Sequence, residues 1–228
     1  MVGLAQERAA SSVGPRSPTA NADKDKTKKT LSSSENTCDD LGVLVDRSHS
    51  LSPDYVPKDL VPLRDYGVST LGSELLRRNA AEHLGRLVQG AAADGEKLAV
   101  ASAYRSYEEQ RRSYQSLTGV LGADAGRLSA PPGHSQHQLG TAVDFTNAAV
   151  DYKLRVPFAR TSAYRWLGHH AWEYGYILAY PRDDKERTGY RWEPWHYRYV
   201  GVRDAKRVED SGQSLQEFLE GVGTTPRC

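Results

Sequence analysis

Two short runs constrain this chain more than anything else in it. One is His134-Ser-Gln-His-Gln-Leu-Gly-Thr-Ala-Val-Asp-Phe145, and the other is Glu193-Pro-Trp-His-Tyr197. Between them they carry His137, Asp144, Glu193 and His196. A fold that uses all four must bring two segments about fifty residues apart to one point. Two imidazoles and one carboxylate are a common ligand set for a zinc ion that keeps a fourth position open for water. With His137, Asp144 and His196 as the ligands, Glu193 is left free to act on that water.

The spacing says how each side chain is presented. A seven-residue separation would align His137 and Asp144 on a helix. Gly140 and the β-leaning Ala142-Val-Asp-Phe145 favour a loop that turns at Leu139-Gly140 and feeds a strand. Ala142 and Asp144 then share one face, and Val143 and Phe145 pack on the other. Pro194 prevents ladder pairing between Glu193 and His196, so the chain can bend and aim both inward, with Trp195 and Tyr197 packing on the opposite side. Zinc in such a site would acidify a water and polarise a carbonyl oxygen. Glu193 would take the water proton and later deliver it to a leaving amine. Arg105, in Ala103-Tyr-Arg-Ser-Tyr-Glu-Glu-Gln110, stands at a strand end just before a helix N-terminus. It has two candidate tasks there: holding a terminal carboxylate, or stabilising an oxyanion. Taken singly, each of these residues has a structural explanation. His49, His83, His169 and His170 are read that way, and His134 is read as shaping its loop. The joint occurrence of the two runs outweighs the single-residue explanations.

Composition sets the surroundings. The chain has 228 residues and a formal net charge of +1 from 30 basic and 29 acidic residues, which gives no electrostatic footprint for nucleic acid or for an anionic membrane. No run approaches the ~20 apolar residues that span a bilayer. The polar start, Met1-Val-Gly-Leu-Ala-Gln-Glu-Arg-Ala-Ala10, lacks the apolar core of an export signal. Either the protein stays inside a cell or its export segment is missing from this sequence. The two cysteines, Cys38 and Cys228, rule against a thiolate zinc site. A disulfide between them would favour an oxidising compartment; two separate thiols are the other reading, and sequence does not supply the distance that decides.

Residues 1–37 are rich in small and polar side chains and are expected to be a disordered arm or linker, with the mixed-sign cluster Asp23–Lys29 as a solvated tether. Residues 38–228 are expected to form one domain. Leu41–Val45 reads as a short strand, and Pro53, Pro57 and Pro62 mark an extended segment laid over a core. Ser73–Asp94 carries a helical apolar stripe closed by Gly95. Lys97–Ser102 reads as a buried strand, and Ser106 with Glu109 forms a capping box that opens a second helix. Residues 118–134 are a glycine- and proline-rich loop that could wall the site. Thr161–Tyr174 reads as a helix, Tyr176–Tyr180 as a strand, 181–189 as a polar turn and Tyr190–Val200 as a second strand. Ser214 and Glu217 cap a short last helix. This order predicts an α+β fold with a small, mostly antiparallel sheet flanked by helices.

These motifs resemble those of the zinc D-alanyl-D-alanine carboxypeptidase family. The similarity lies in Tyr104-Arg-Ser106 with Gln110, Ser135-x-His137-x-x-Gly140-x-Ala142-x-Asp144, Glu193-Pro-Trp-His196 and Tyr174–Pro181. It spans about Cys38 to Gly201. The family includes vancomycin-resistance carboxypeptidases, L,D-carboxypeptidases and some phage endolysins, and shares a core with the hedgehog domain. The resemblance implies a hedgehog-like fold and one zinc ion on His137, Asp144 and His196. It also implies Glu193 as base, Arg105 as the substrate- and oxyanion-side arginine, and Gln110 and Ser135 as lining the substrate pocket. The expected reaction is removal of the C-terminal D-alanine of peptidoglycan stem peptides by a monomer on the cell-wall side of a bacterium, with a cytoplasmic location left open. The alternatives are L,D-cleavage of a tetrapeptide stem, endopeptidase cleavage, or a zinc-containing binding module without turnover.

Overall fold

A computed structural model describes residues 37–121, 126 and 129–228. The expected N-terminal arm, apart from Thr37, and much of the loop after residue 121 lie outside the described residues.

The centre is a four-stranded sheet in the order β3 (Ala99–Ser102), β4 (Ala142–Thr146), β6 (His196–Tyr199), β5 (Tyr176–Leu178), antiparallel throughout. Its two faces are sorted by the period-2 alternation of the strands. Val143 and Phe145 of β4 and Tyr197 and Tyr199 of β6 point into the main core, against α1 (Arg78–Ala93) and α3 (Ser162–His170). Asp144, His196 and Arg198 therefore occupy the other face. A second cluster, built from Ile177, Tyr180, Tyr190 and Val200 with α5 (Val202–Ser211) and α6 (Leu215–Val222), closes the β5 end.

The predicted helix at Ser73–Asp94 begins later than its apolar stripe suggests. Leu75–Arg77 is a strand, β2, paired antiparallel with β1 (Leu60–Pro62). Pro62 is tolerated because this two-stranded ribbon is all edge and the proline closes it. Arg77 is anchored by Asp59 at 2.9 Å and by the carbonyl of Asp39 at 2.7 Å. The helix α2 (Tyr107–Leu121) starts where the capping box predicts. Glu109 Oε2 accepts from Ser106 N at 2.9 Å, and Ser106 Oγ accepts from Glu109 N at 3.3 Å. The polar turn at 181–189 contains one helical turn, α4 (Lys185–Thr188).

Two further expectations need correction. Leu41–Val45 is not a strand: Val43 makes one isolated bridge, to Thr224, and the carbonyls of Leu41 and Val43 are taken by Arg198 Nη2 at 2.9 and 2.6 Å. The second aromatic strand is only His196–Tyr199, because Glu193–Trp195 is a turn in which His196 N–H donates back to Glu193 O at 3.0 Å. Helix α5 has no counterpart among the elements the sequence predicts. Its sequence, Val-Arg-Asp-Ala-Lys-Arg-Val-Glu-Asp-Ser, buries only Ala205 and Val208, so its apolar stripe is too thin to read. Cys38 and Cys228 are joined as a disulfide with a Cα–Cα distance of 5.8 Å. Among the described residues no helix is long and apolar enough to cross a membrane.

Candidate metal centre and its cavity

Asp144 and His196 are directly opposed residues of β4 and β6, and Ser102 of β3 is the register partner of Asp144 on the other side. The sheet itself thus sets two of the three candidate ligands side by side. His137 reaches them from a 3-10 turn, Gln136–Leu139, that runs into β4. Ser135 caps this turn, its Oγ accepting from His137 N at 3.3 Å. Gly140 ends the turn with φ 65°, and a Cβ there would press on Leu60, Arg77 and Pro57 at 3.0–3.2 Å. Both the backbone conformation and the close packing call for glycine.

The ring protons can be assigned from partners. His137 Nδ1 lies 2.5 Å from the carbonyl oxygen of Ala103. That oxygen only accepts, so Nδ1 carries the proton and Nε2 presents a lone pair. The lone pair faces Asp144 Oδ2 at 3.2 Å. On the other side His196 Nδ1 faces Asp144 Oδ1 at 2.8 Å, and His196 Nε2 faces Gln136 Oε1 at 3.2 Å. The candidate ligand atoms of His137, Asp144 and His196 all lie within 4.8 Å of one another, and all three residues are buried. Burial alone would push the Asp144 carboxyl up, but the two imidazoles outweigh it and hold the group well below the usual carboxylate range. The imidazoles do this only while each carries a proton toward the carboxylate, so a positive charge belongs between the rings and Asp144: protons without metal, and a cation in their place when one is bound. The N,N,O donor set fits zinc.

This cluster forms the floor of a cavity of about 240 Å³. Glu193, Arg105, Gln110 and Ser135 line it, together with Gln136, Ser129, Ala130, Leu154, Tyr180, Tyr190 and Arg191, which the sequence does not single out for the site, and Trp195, which is expected to pack on the opposite side but also reaches the cavity. The described end of the 118–134 loop is therefore a wall. Loss of surrounding water pushes the Glu193 carboxyl up to about 7, against the pull of His196. A divalent cation beside it would draw the value back down. Arg105 is braced from two directions: Nη1 donates to Gln110 Oε1 at 2.9 Å and Nη2 to Ser102 Oγ at 2.8 Å. Gln110 is itself spent, its Nε2 donating to Ala130 O at 2.6 Å and to Ser129 Oγ at 3.1 Å. It stands behind Arg105 and ties α2 to the wall. His134 shapes its loop, as read from sequence, by donating from Nδ1 to Asp46 O at 2.7 Å. Tyr180 stacks on His196 with 4.8 Å between centroids. Tyr180 falls within Tyr174–Pro181, one of the runs that carry the resemblance, but nothing in that run assigns it a place at the site.

The family described as VanY, D-alanyl-D-alanine carboxypeptidase, matches residues 73–202 of this chain. The chain belongs to that family. A D-alanyl-D-alanine carboxypeptidase of Enterococcus faecalis is 36% identical over 149 residues, which cover 60% of this chain and 53% of that protein, so the chain spans about half of that relative's length. The L,D-carboxypeptidase LdcB, in a structure concerned with peptidoglycan recognition, superimposes with a TM-score of 0.75 at 33% identity, over 80% of this chain and 87% of that one. A mutant of the vancomycin-resistance D,D-pentapeptidase VanY in complex with Zn(II) superimposes with a TM-score of 0.64 at 31% identity, over 78% of this chain and 98% of that one. The mixed α/β architecture with its small antiparallel sheet is thus the VanY-type peptidase fold.

Proposed function

We propose that this chain is a zinc carboxypeptidase that removes the C-terminal D-alanine from peptidoglycan stem peptides. The observation that carries the reading is the convergence of His137 Nε2, the Asp144 carboxylate and His196 Nδ1 at the floor of a cavity that Glu193 and Arg105 also line. A zinc ion held by those three groups would supply Lewis acidity, acidifying water and polarising the scissile carbonyl. The Arg105 guanidinium, held in place by Gln110 and Ser102, grips the terminal carboxylate of the substrate and seats the scissile amide over the floor. Glu193 accepts a proton from the attacking water as its oxygen bonds to the carbonyl carbon. It returns that proton to the departing amine nitrogen as the C–N bond breaks, so acid and base are one carboxyl group. Ser135 caps the turn that carries His137 and offers its hydroxyl to the cavity wall.

The likeness to LdcB favours a second reading in the same site, removal of the last residue of a tetrapeptide stem. The Cys38–Cys228 disulfide supports action outside the cytoplasm, where such bonds persist. The deciding experiment incubates the zinc-loaded protein with pentapeptide and tetrapeptide stems and weighs the products. Loss of one alanine from the pentapeptide alone is expected. Loss from the tetrapeptide alone would transfer the proposal to L,D-cleavage, and loss from neither would refute both.

A further inference from the structure

The two histidines of the metal cluster are held in different ways. For His137 the proton is fixed on Nδ1 by a backbone carbonyl, Ala103 O, which cannot donate. His196 faces the opposite hazard. Its metal-side nitrogen, Nδ1, lies 2.8 Å from a carboxylate oxygen of Asp144. A carboxylate at that distance attracts a proton onto Nδ1, and a protonated Nδ1 cannot ligate. Tyr180, stacked at an interplanar angle of 13°, fixes the plane of the ring but does not select which nitrogen carries the proton. The selection falls to whatever meets Nε2, and that is Gln136 Oε1 at 3.2 Å.

We propose that Gln136 is the positioning residue for His196: its side-chain oxygen takes the Nε2 proton and keeps Nδ1 bare toward Asp144 and the metal. Gln136 also lines the cavity, but in this role it acts through His196 and not on the reacting atoms. It is buried, and it precedes His137 in the same 3-10 turn. That turn is pinned by the Ser135 cap, by Arg105 N–H donating to His137 O at 3.2 Å, and by Gln138 Nε2 donating to Ser52 O at 2.9 Å and Tyr55 O at 3.2 Å. One turn therefore supplies the first ligand directly and sets the tautomer of another from a neighbouring residue. A carboxamide can also rotate and offer its NH₂ instead. The rotated form suits the opposite tautomer, so a turn of this side chain alone would unmake the ligand set without moving the backbone. Outer partners of ligating histidines govern metal affinity to this degree in general.

The proposal rests on the zinc site described above, and its test separates the two. Zinc affinity is measured by competition with a chromophoric chelator for the wild type, Gln136→Glu and Gln136→Met, alongside thermal unfolding of each metal-free protein. Gln136→Glu keeps the acceptor and should bind zinc at least as tightly as the wild type. Gln136→Met keeps the bulk, loses the acceptor and should bind about 10–100-fold more weakly. Nitrogen-15 spectra of the histidine rings in the zinc-loaded wild type should show the His196 proton on Nε2, a readout that needs no variant to fold. Undiminished zinc affinity in Gln136→Met, or a His196 ring without an Nε2 proton, would overturn the proposal while leaving the zinc site standing. A wild type that binds no zinc would overturn the site and this proposal together.

Discussion

Glu193 and Asp144 show how one side chain type is put to two uses within one cavity. Asp144 lies on the middle of a strand between two imidazoles, which hold it ionised despite its burial while they carry protons toward it, a place a bound cation would take over. Glu193 sits on a turn outside the ladder, with fewer compensating partners, and its carboxyl is driven up to about 7. The first environment suits a permanent ligand and the second a group that gains and loses a proton. Replacing Glu193 by Ala should therefore lower kcat about 10²–10⁴-fold and leave bound zinc close to one per chain, as measured by metal analysis after gel filtration. Replacing Asp144 by Ala should instead strip the metal. Zinc lost from Glu193→Ala would mean that Glu193 is a ligand and that the assigned roles are wrong.

At the scale of elements, the segment from Thr37 to Tyr55 is a strap that braces the turn bearing His137. Leu51 N–H donates to Gly133 O at 2.9 Å, Asp46 O accepts from His134, and Gln138 reaches Ser52 and Tyr55. Its own anchor is the Asp46 carboxylate, which accepts from Ser48 N, His49 N and Gln216 Nε2 of α6 at 2.7–2.9 Å. Burial opposes ionisation of Asp46, but these hydrogen bonds and His49 outweigh it and hold the carboxyl below its ordinary range. With a folded value below the unfolded value of about 3.9, its contribution is complete above that pH and fades as the pH falls through the folded value. The gap in urea midpoint between wild type and Asp46→Ala should be constant near neutrality and narrow as the pH is lowered toward about 2. A gap that widens on acidification would contradict the assignment. Little of this strap is legible in the sequence. Its prolines announce an extended course, but Leu41–Val45 looks like a strand because apolar residues cluster there. Only the buried guanidinium of Arg198, distant in the chain, diverts those carbonyls from a ladder. The site was legible for the opposite reason. His137, Gly140, Asp144, Pro194 and His196 each leave a local signature in turn or strand chemistry. Gln136, the stacking of Tyr180 on His196 and the bracing role of Gln110 leave none that assigns a role, since those contacts depend on what the sheet register and the loop after α2 bring against them.

For the molecule as a whole, the two ends of the described chain close on each other. Thr37 N–H donates to Arg227 O at 3.1 Å, Leu44 N–H to Thr224 O at 2.8 Å, and Cys38 is bonded to Cys228 across a sequence separation of 190. This closure lies away from the cavity, whose lining includes neither cysteine. Its effect should therefore appear in stability and not in chemistry. Cross-linking so long a loop restricts the unfolded chain, and bonds of this kind are typically worth about 2–4 kcal/mol, with the loop-entropy argument alone giving a value on the order of 5. In a protein of this size that corresponds to a fall in Tm of roughly 4–16 °C when Cys38 and Cys228 are both replaced by Ser. The double variant avoids leaving a single thiol free to pair with another chain. Well below its melting temperature it should hydrolyse the stem peptide with kcat/KM unchanged, because the strap remains attached through Asp46, Leu51 and Gln138. A variant that melts normally but has lost activity would show that the disulfide reaches the His137 turn through the strap, which would make the closed ends part of the site's geometry and not only of its durability.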